Sequence, residues 1–82
     1  MFYTYIIYSG SLDRYYVGSC ESLEKRLHDH QVGHSNYTKQ GKPWILKWSK
    51  SFDSRQQAVA EERRIKAKKS RKYIEFLIGT AG

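Results

Sequence analysis

The chain has 82 residues, of which 39% are hydrophobic and 15% aromatic, enough for one small domain with a single core and too little for a second lobe. Fifteen Lys and Arg oppose eight Asp and Glu, a formal charge of +7; this balance favours polyanions, nucleic acid first and then acidic membrane surfaces or acidic proteins. The lone Cys20 excludes an internal disulfide, no apolar run approaches the ~20 residues that span a bilayer, and Met1-Phe2-Tyr3 lacks a signal-peptide pattern. The expectation is a soluble cytoplasmic domain with no membrane partner.

Residues 2–8 are rich in β-branched and aromatic types and predict a strand. The segment Ser9-Gly10-Ser11-Leu12-Asp13-Arg14 has turn chemistry, so 15–18 read as the returning strand of a hairpin. Ser22 is placed to cap a helix over 23–32, with Glu24 in its first turn and Gly33 just past its end. A polar loop, 33–43, follows and carries Lys39 and Lys42. Trp44, Leu46 and Trp48 alternate with Ile45, Lys47 and Ser49, which predicts a third strand with both tryptophans on one face. Asp53 or Ser54 caps the next helix, with Gln56 and Gln57 placed for a capping box, and that helix runs to about Lys69. Ser70 starts a short last helix ending before Gly79. The order is ββαβαα: an α+β domain over residues 1–82, a three-stranded antiparallel sheet flanked by helices.

Two charges sit out of pattern on the predicted helices. In the first, Leu23 and Leu27 define the inward stripe, and Arg26 and His30, neighbours at i,i+4, border it. In the second, Ala58 and Ile65 mark the stripe and Glu62 falls between them. Taken alone, Arg26 reads as readily as a snorkelling arginine, and Glu62 more readily as half of a salt bridge. Taken together, an inward guanidinium and an inward carboxylate suit one phosphate group with its metal ion. A zinc site from His28, His30 and His34 is disfavoured, because His28 points elsewhere and no second cysteine completes four ligands. From Arg55 to Lys72 basic residues outnumber acidic ones eight to two. They cannot all face one way, so part of the run is solvated surface and part, with Lys39 and Lys42, is free to track a phosphate backbone. Trp44 reads as core ahead of a base-stacking platform.

Tyr3-Thr4-Tyr5, Tyr16-Val17-Gly18, helical Arg26 and later Glu62, with Pro43-Trp44 and Glu62-Arg63-Arg64-Ile65-Lys66, resemble the GIY-YIG nuclease superfamily over nearly the whole chain. The resemblance is to its small stand-alone bacterial members and to the N-terminal nuclease domain of the excision-repair incision subunit. Tyr3 and Thr4 stand where the first motif has Gly and Ile, and Val17 where the second has Ile. The asparagine that some endonuclease members carry near the end has no counterpart, since Asn36 is the only Asn.

What the resemblance implies is hydrolysis of phosphodiester bonds with one divalent ion, Mg²⁺ or Mn²⁺. Tyr16 would be the general base, Tyr5 would position the water or phosphate, Arg26 would neutralise phosphoryl charge, and Glu62 would hold the metal. An ordinary phenol titrates near ~10 and is a poor base at neutral pH, so positive charge from Arg26, the metal or His30 would have to assist. Gly18 would allow close backbone approach, and Lys39, Lys42 and Lys66 would hold substrate, DNA ahead of RNA. All of this requires rings, guanidinium and carboxylate to open onto one solvent-reachable hollow; a carboxylate across the sheet from the rings would end it. The alternatives are a nucleic-acid-binding module with little catalysis, and a protein-interaction domain meeting an acidic partner.

Overall fold

The computed structural model describes residues 1–32 and 42–81. It places β1 (Phe2–Ser9), β2 (Arg14–Cys20), α1 (Leu23–Val32), β3 (Trp44–Phe52), α2 (Arg55–Ala67) and α3 (Arg71–Ala81) in the expected ββαβαα order. The sheet is antiparallel throughout, with strand order β2-β1-β3. Because β1 is central and covered on both faces, Thr4, Tyr5, Ile6 and Ile7 are all buried, which explains a run with no polar alternation.

Side chains alternate across the pleat and so divide the core in two. Tyr5, Ile7, Cys20 and Trp44 cluster on one face, closed by Tyr16 and by Leu23 and Leu27 of α1. Ile6, Val17, Trp48 and Ile65 cluster on the other, closed by Tyr73, Ile74, Leu77 and Ile78 of α3. Burying a side chain the size of Ile65, 1% exposed, contributes roughly 1.5–3 kcal/mol. The small Ala58 lets α2 approach closely enough for its carbonyl to accept a hydrogen bond from Thr4 Oγ1 at 2.7 Å, pinning the helix to the central strand.

Three expectations need correction. The tryptophans of β3 occupy opposite faces, because Ile6 pairs with Trp48 but Ile7 pairs with Leu46, leaving Lys47 as the extra residue of a bulge. The helix α2 stops at Ala67 and not at Lys69, whose φ of 47° is left-handed and redirects the chain into α3. And α3 continues through Gly79 to Ala81, since Ile74, Leu77 and Ile78 supply an apolar stripe that outweighs one glycine.

The capping chemistry is as read: Ser22 Oγ accepts from Lys25 N–H, and Ser54 forms a reciprocal capping box with Gln57. In the hairpin turn Asp13 is left-handed, at φ 53°, and its carboxylate accepts from Tyr8 Oη at 2.6 Å. Among the described residues no helix is long and apolar enough to cross a membrane.

Candidate active site

Along β2, Tyr16, Gly18 and Cys20 face α1, while Tyr15, Val17 and Ser19 face α2. Since β2 is an edge strand, groups from both faces can meet around it. On the α1 face Tyr5 crosses over from β1 to lie above Gly18. A Cβ built on Gly18 would stand 2.5 Å from Tyr5 Oη and 2.7 Å from its Cζ. The absence of a side chain at Gly18 is therefore a seat for the Tyr5 phenol, where the sequence suggested room for substrate.

Tyr5 and His30 form the buried heart of this face. Tyr5 is 3% and His30 6% exposed, and Tyr5 Oη lies 3.0 Å from His30 Nε2, with the imidazole tautomer deciding which atom donates. Tyr16 stacks obliquely on Tyr5, with centroids 6.5 Å apart, and meets the His30 ring edge-on at 5.0 Å. Trp44, 1% exposed, walls in both rings at 6.3 and 6.2 Å. It is core, as expected, and Gln31 of α1 clamps its backbone by donating to Trp44 O at 2.5 Å and accepting from Trp44 N–H at 2.9 Å.

Burial sets the protonation of this pair. It holds the Tyr5 hydroxyl well above the usual phenol range, reinforced by the neighbouring Tyr16 and only partly offset by Arg26. Burial likewise lowers the His30 pKa from its ordinary value near 6.5, and the Arg26 charge lowers it further. Both rings are thus neutral at pH 7. The His30 shift runs against the expectation that this residue lends positive charge to Tyr16, and the contact the structure gives His30 is with Tyr5.

Glu62 belongs to α2, on the face opposite the rings. Its half-buried carboxylate accepts from Ser19 Oγ at 2.8 Å and pairs with Lys66 Nζ at 2.6 Å. That is the salt bridge read from the sequence. The same Lys66 ammonium lies 5.9 Å from the centroid of the Tyr16 ring, and the Glu62 charge is felt at the Tyr5 phenol. The carboxylate therefore lies on the Ser19 face of β2, opposite the face that carries Tyr5 and Tyr16, and nears the rings only around the edge of the strand, so the expected common hollow is not formed.

Arg26 is exposed on α1, and its charge acts on Tyr5, Cys20 and His30. It lines a cleft of about 230 Å³ at the Cys20 end of β2, with Ser22 and Arg55. Tyr16 and Lys66 line a second cleft, of about 460 Å³, at the other end. From Tyr16 to Cys20 a strand runs roughly 13 Å. The expected single hollow is thus replaced by a lined edge, with the Tyr5 phenol and the Glu62 carboxylate between two clefts. Lys42 is exposed near the hairpin turn, where its carbonyl accepts from Ser11 Oγ at 3.5 Å; Lys39 lies outside the described residues.

Among the described residues no group of three His, Cys, Asp or Glu is arranged to hold a metal. A hard cation needs fewer: Mg²⁺ is commonly held by one or two carboxylates, with waters and substrate phosphate completing the shell. Glu62 fits that role, since its side chain is 20% exposed and its ion-pair partner Lys66 is 51% exposed and able to withdraw. Ser19, which aims the Glu62 carboxylate, escaped the sequence reading. The alternation of β2, which sets Ser19 on the α2 face, is the signal that could have found it.

Residues 1–74 match the family model of the GIY-YIG catalytic domain. No curated protein and no solved structure matches the chain.

Proposed function

The chain belongs to the GIY-YIG catalytic-domain family, a nuclease superfamily acting on nucleic acid, and from that premise we propose that it hydrolyses phosphodiester bonds in DNA, with weak or structure-directed specificity. The observation that carries the proposal is the β2 edge itself. Lys66 joins the Glu62 carboxylate to the Tyr16 ring, beside the bonded Tyr5–His30 pair.

Tyr16, half-buried at the mouth of a cleft, acts as its phenolate and takes a proton from water as the water oxygen bonds to phosphorus; the bond from phosphorus to the leaving sugar oxygen breaks, and that oxygen takes up a proton from solvent. Tyr5 remains a neutral phenol, held by His30 and Gly18, and positions the water or a phosphate oxygen. Arg26 and Lys66 are the cations that meet negative charge developing along the edge. Glu62, aimed by Ser19, would hold one divalent ion, Mg²⁺ or Mn²⁺, whose chemistry when bound is to stabilise the departing oxygen as a Lewis acid. The remaining cations supply sequence-independent phosphate contacts.

The test is cleavage of a labelled panel of single-stranded, branched, flapped and fully paired DNA and RNA, with Mg²⁺ or Mn²⁺. Turnover of some member is expected, and Tyr16→Phe should lower it by roughly 10²–10⁴-fold with the fold intact. If no member is cut under any condition, the enzymatic reading fails, and salt-sensitive binding without cleavage would install the binding-module alternative.

A further inference from the structure

The larger cleft reaches well beyond Tyr16. It runs from the β2 edge to the junction of α2 and α3, and its walls carry Arg14, Lys66, Lys69 and Arg71 against a single acid, Asp13. Its apolar lining is offered by the half-buried Tyr15 and Ile74, over the buried Val17 and Ile65. The four cations are not equivalent. Arg71 is tied to Asp13 at 2.7 Å and to Glu75 at 3.4 Å, and Lys66 is tied to Glu62. Arg14 and Lys69 are exposed, and among the described residues neither forms an ion pair. Lys69 is held toward this cleft by the left-handed turn that ends α2.

An anionic ligand with an apolar, flat portion satisfies such a lining. The volume, about 460 Å³, suits one nucleotide-sized ligand and not a stacked base pair. A base can offer a free face to an apolar floor only when it is unpaired and unstacked. We propose that this cleft is a binding subsite for one unpaired nucleotide flanking the phosphate at Tyr16, its own phosphate held by Arg14 and Lys69 and its base lying against Tyr15 and Ile74. The inference rests on the nuclease reading for its register, and it narrows the substrate to one with a single-stranded segment beside the cut.

The experiment is fluorescence anisotropy with a chelator present, so that binding is read without turnover. The probes are a labelled duplex carrying a single-stranded tail and the same duplex blunt-ended. Wild type is expected to prefer the tailed probe, and Arg14→Gln with Lys69→Asn should weaken the tailed probe about tenfold while changing the blunt one less than about twofold. The slope of log affinity against log salt should fall by about 0.7 on the tail, the value for one single-stranded phosphate no longer neutralised. Lys69→Asn alone keeps a residue that tolerates the left-handed turn, so it serves if the double variant unfolds, and should show about half that slope change. Equal losses on both probes, or none, would overturn the subsite. The two readings fail separately: absence of cleavage in the panel would leave a measured tail preference standing, and loss of that preference with cleavage intact would remove only the cleft.

Discussion

On the α1 side of β2, Tyr5 and His30 are buried, neutral and bonded to each other, with Gly18 and Trp44 fixing their rings. On the α2 side, Glu62 and Lys66 are charged, 20% and 51% exposed, and joined by an ion pair one helical turn apart. The first arrangement has few ways to rearrange, because displacing any ring opens a cavity or clashes with a neighbour. The second exchanges partners more easily, because an i,i+4 helix pair with a solvent-exposed lysine is worth only ~0.3–0.5 kcal/mol. The proposed hydrolysis would profit from both: the groups assigned to orient water would be preorganised, and the carboxylate assigned to a metal ion would give up its resident cation at little cost.

That contrast can be broken most severely at the charged side. Glu62→Gln should lower metal-dependent turnover by at least ~10²-fold while shifting stability by only ~0.5 kcal/mol; kinetics and thermal melts on one preparation check both, and a large stability loss would mean Glu62 is chiefly structural. On the ring side the balance should reverse. Gly18→Ala forces Tyr5 off its seat and should cost about 1–3 kcal/mol along with activity, read from urea midpoints; an unchanged midpoint would mean the phenol has room to move.

A smaller effect sharpens the comparison. Lys66→Met removes the ammonium that competes for Glu62, so Mn²⁺ affinity measured by electron paramagnetic resonance should rise by roughly threefold or more, and weaker binding would show that the lysine assists the ion. The smallest effect is in pH. The folded His30 pKa lies below its unfolded value near ~6.5, so the unfolded chain takes up the proton first. Stability should be level above about pH 6.5 and decline as pH falls through that value toward the folded pKa. The lowered carboxyls of Asp13 and Glu61 act in a more acidic window. His30→Gln should flatten the decline in urea midpoints between pH 7.5 and 5, and an unaltered slope would assign it elsewhere.

Much of the fold was legible because local chemistry and periodicity agreed. Ser22 and Ser54 cap the helices they precede, Leu23 and Leu27 face inward, and Ala58 and Ile65 form the stripe of α2. The places where local reading failed are those where packing overrode pattern. The β3 bulge sends Trp44 and Trp48 to opposite faces, and the apolar stripe of α3 carries that helix through Gly79. At the site, Tyr5, Tyr16, Arg26, His30 and Glu62 could be named from their motifs and helical positions, but their mutual arrangement could not. Ser19 offered no motif at all.

By itself the sequence determined the elements, their order, the excess of basic residues and the motifs that mark the family. Only the tertiary structure decided that β2 is an edge strand, that Tyr5 occupies the space over Gly18, that His30 is neutral, and that a carboxylate from one face reaches rings on the other through Lys66. The physical reason is that spacing along a chain specifies which face of its own element a side chain takes. Strand order, burial and the charges of distant neighbours specify what that face meets.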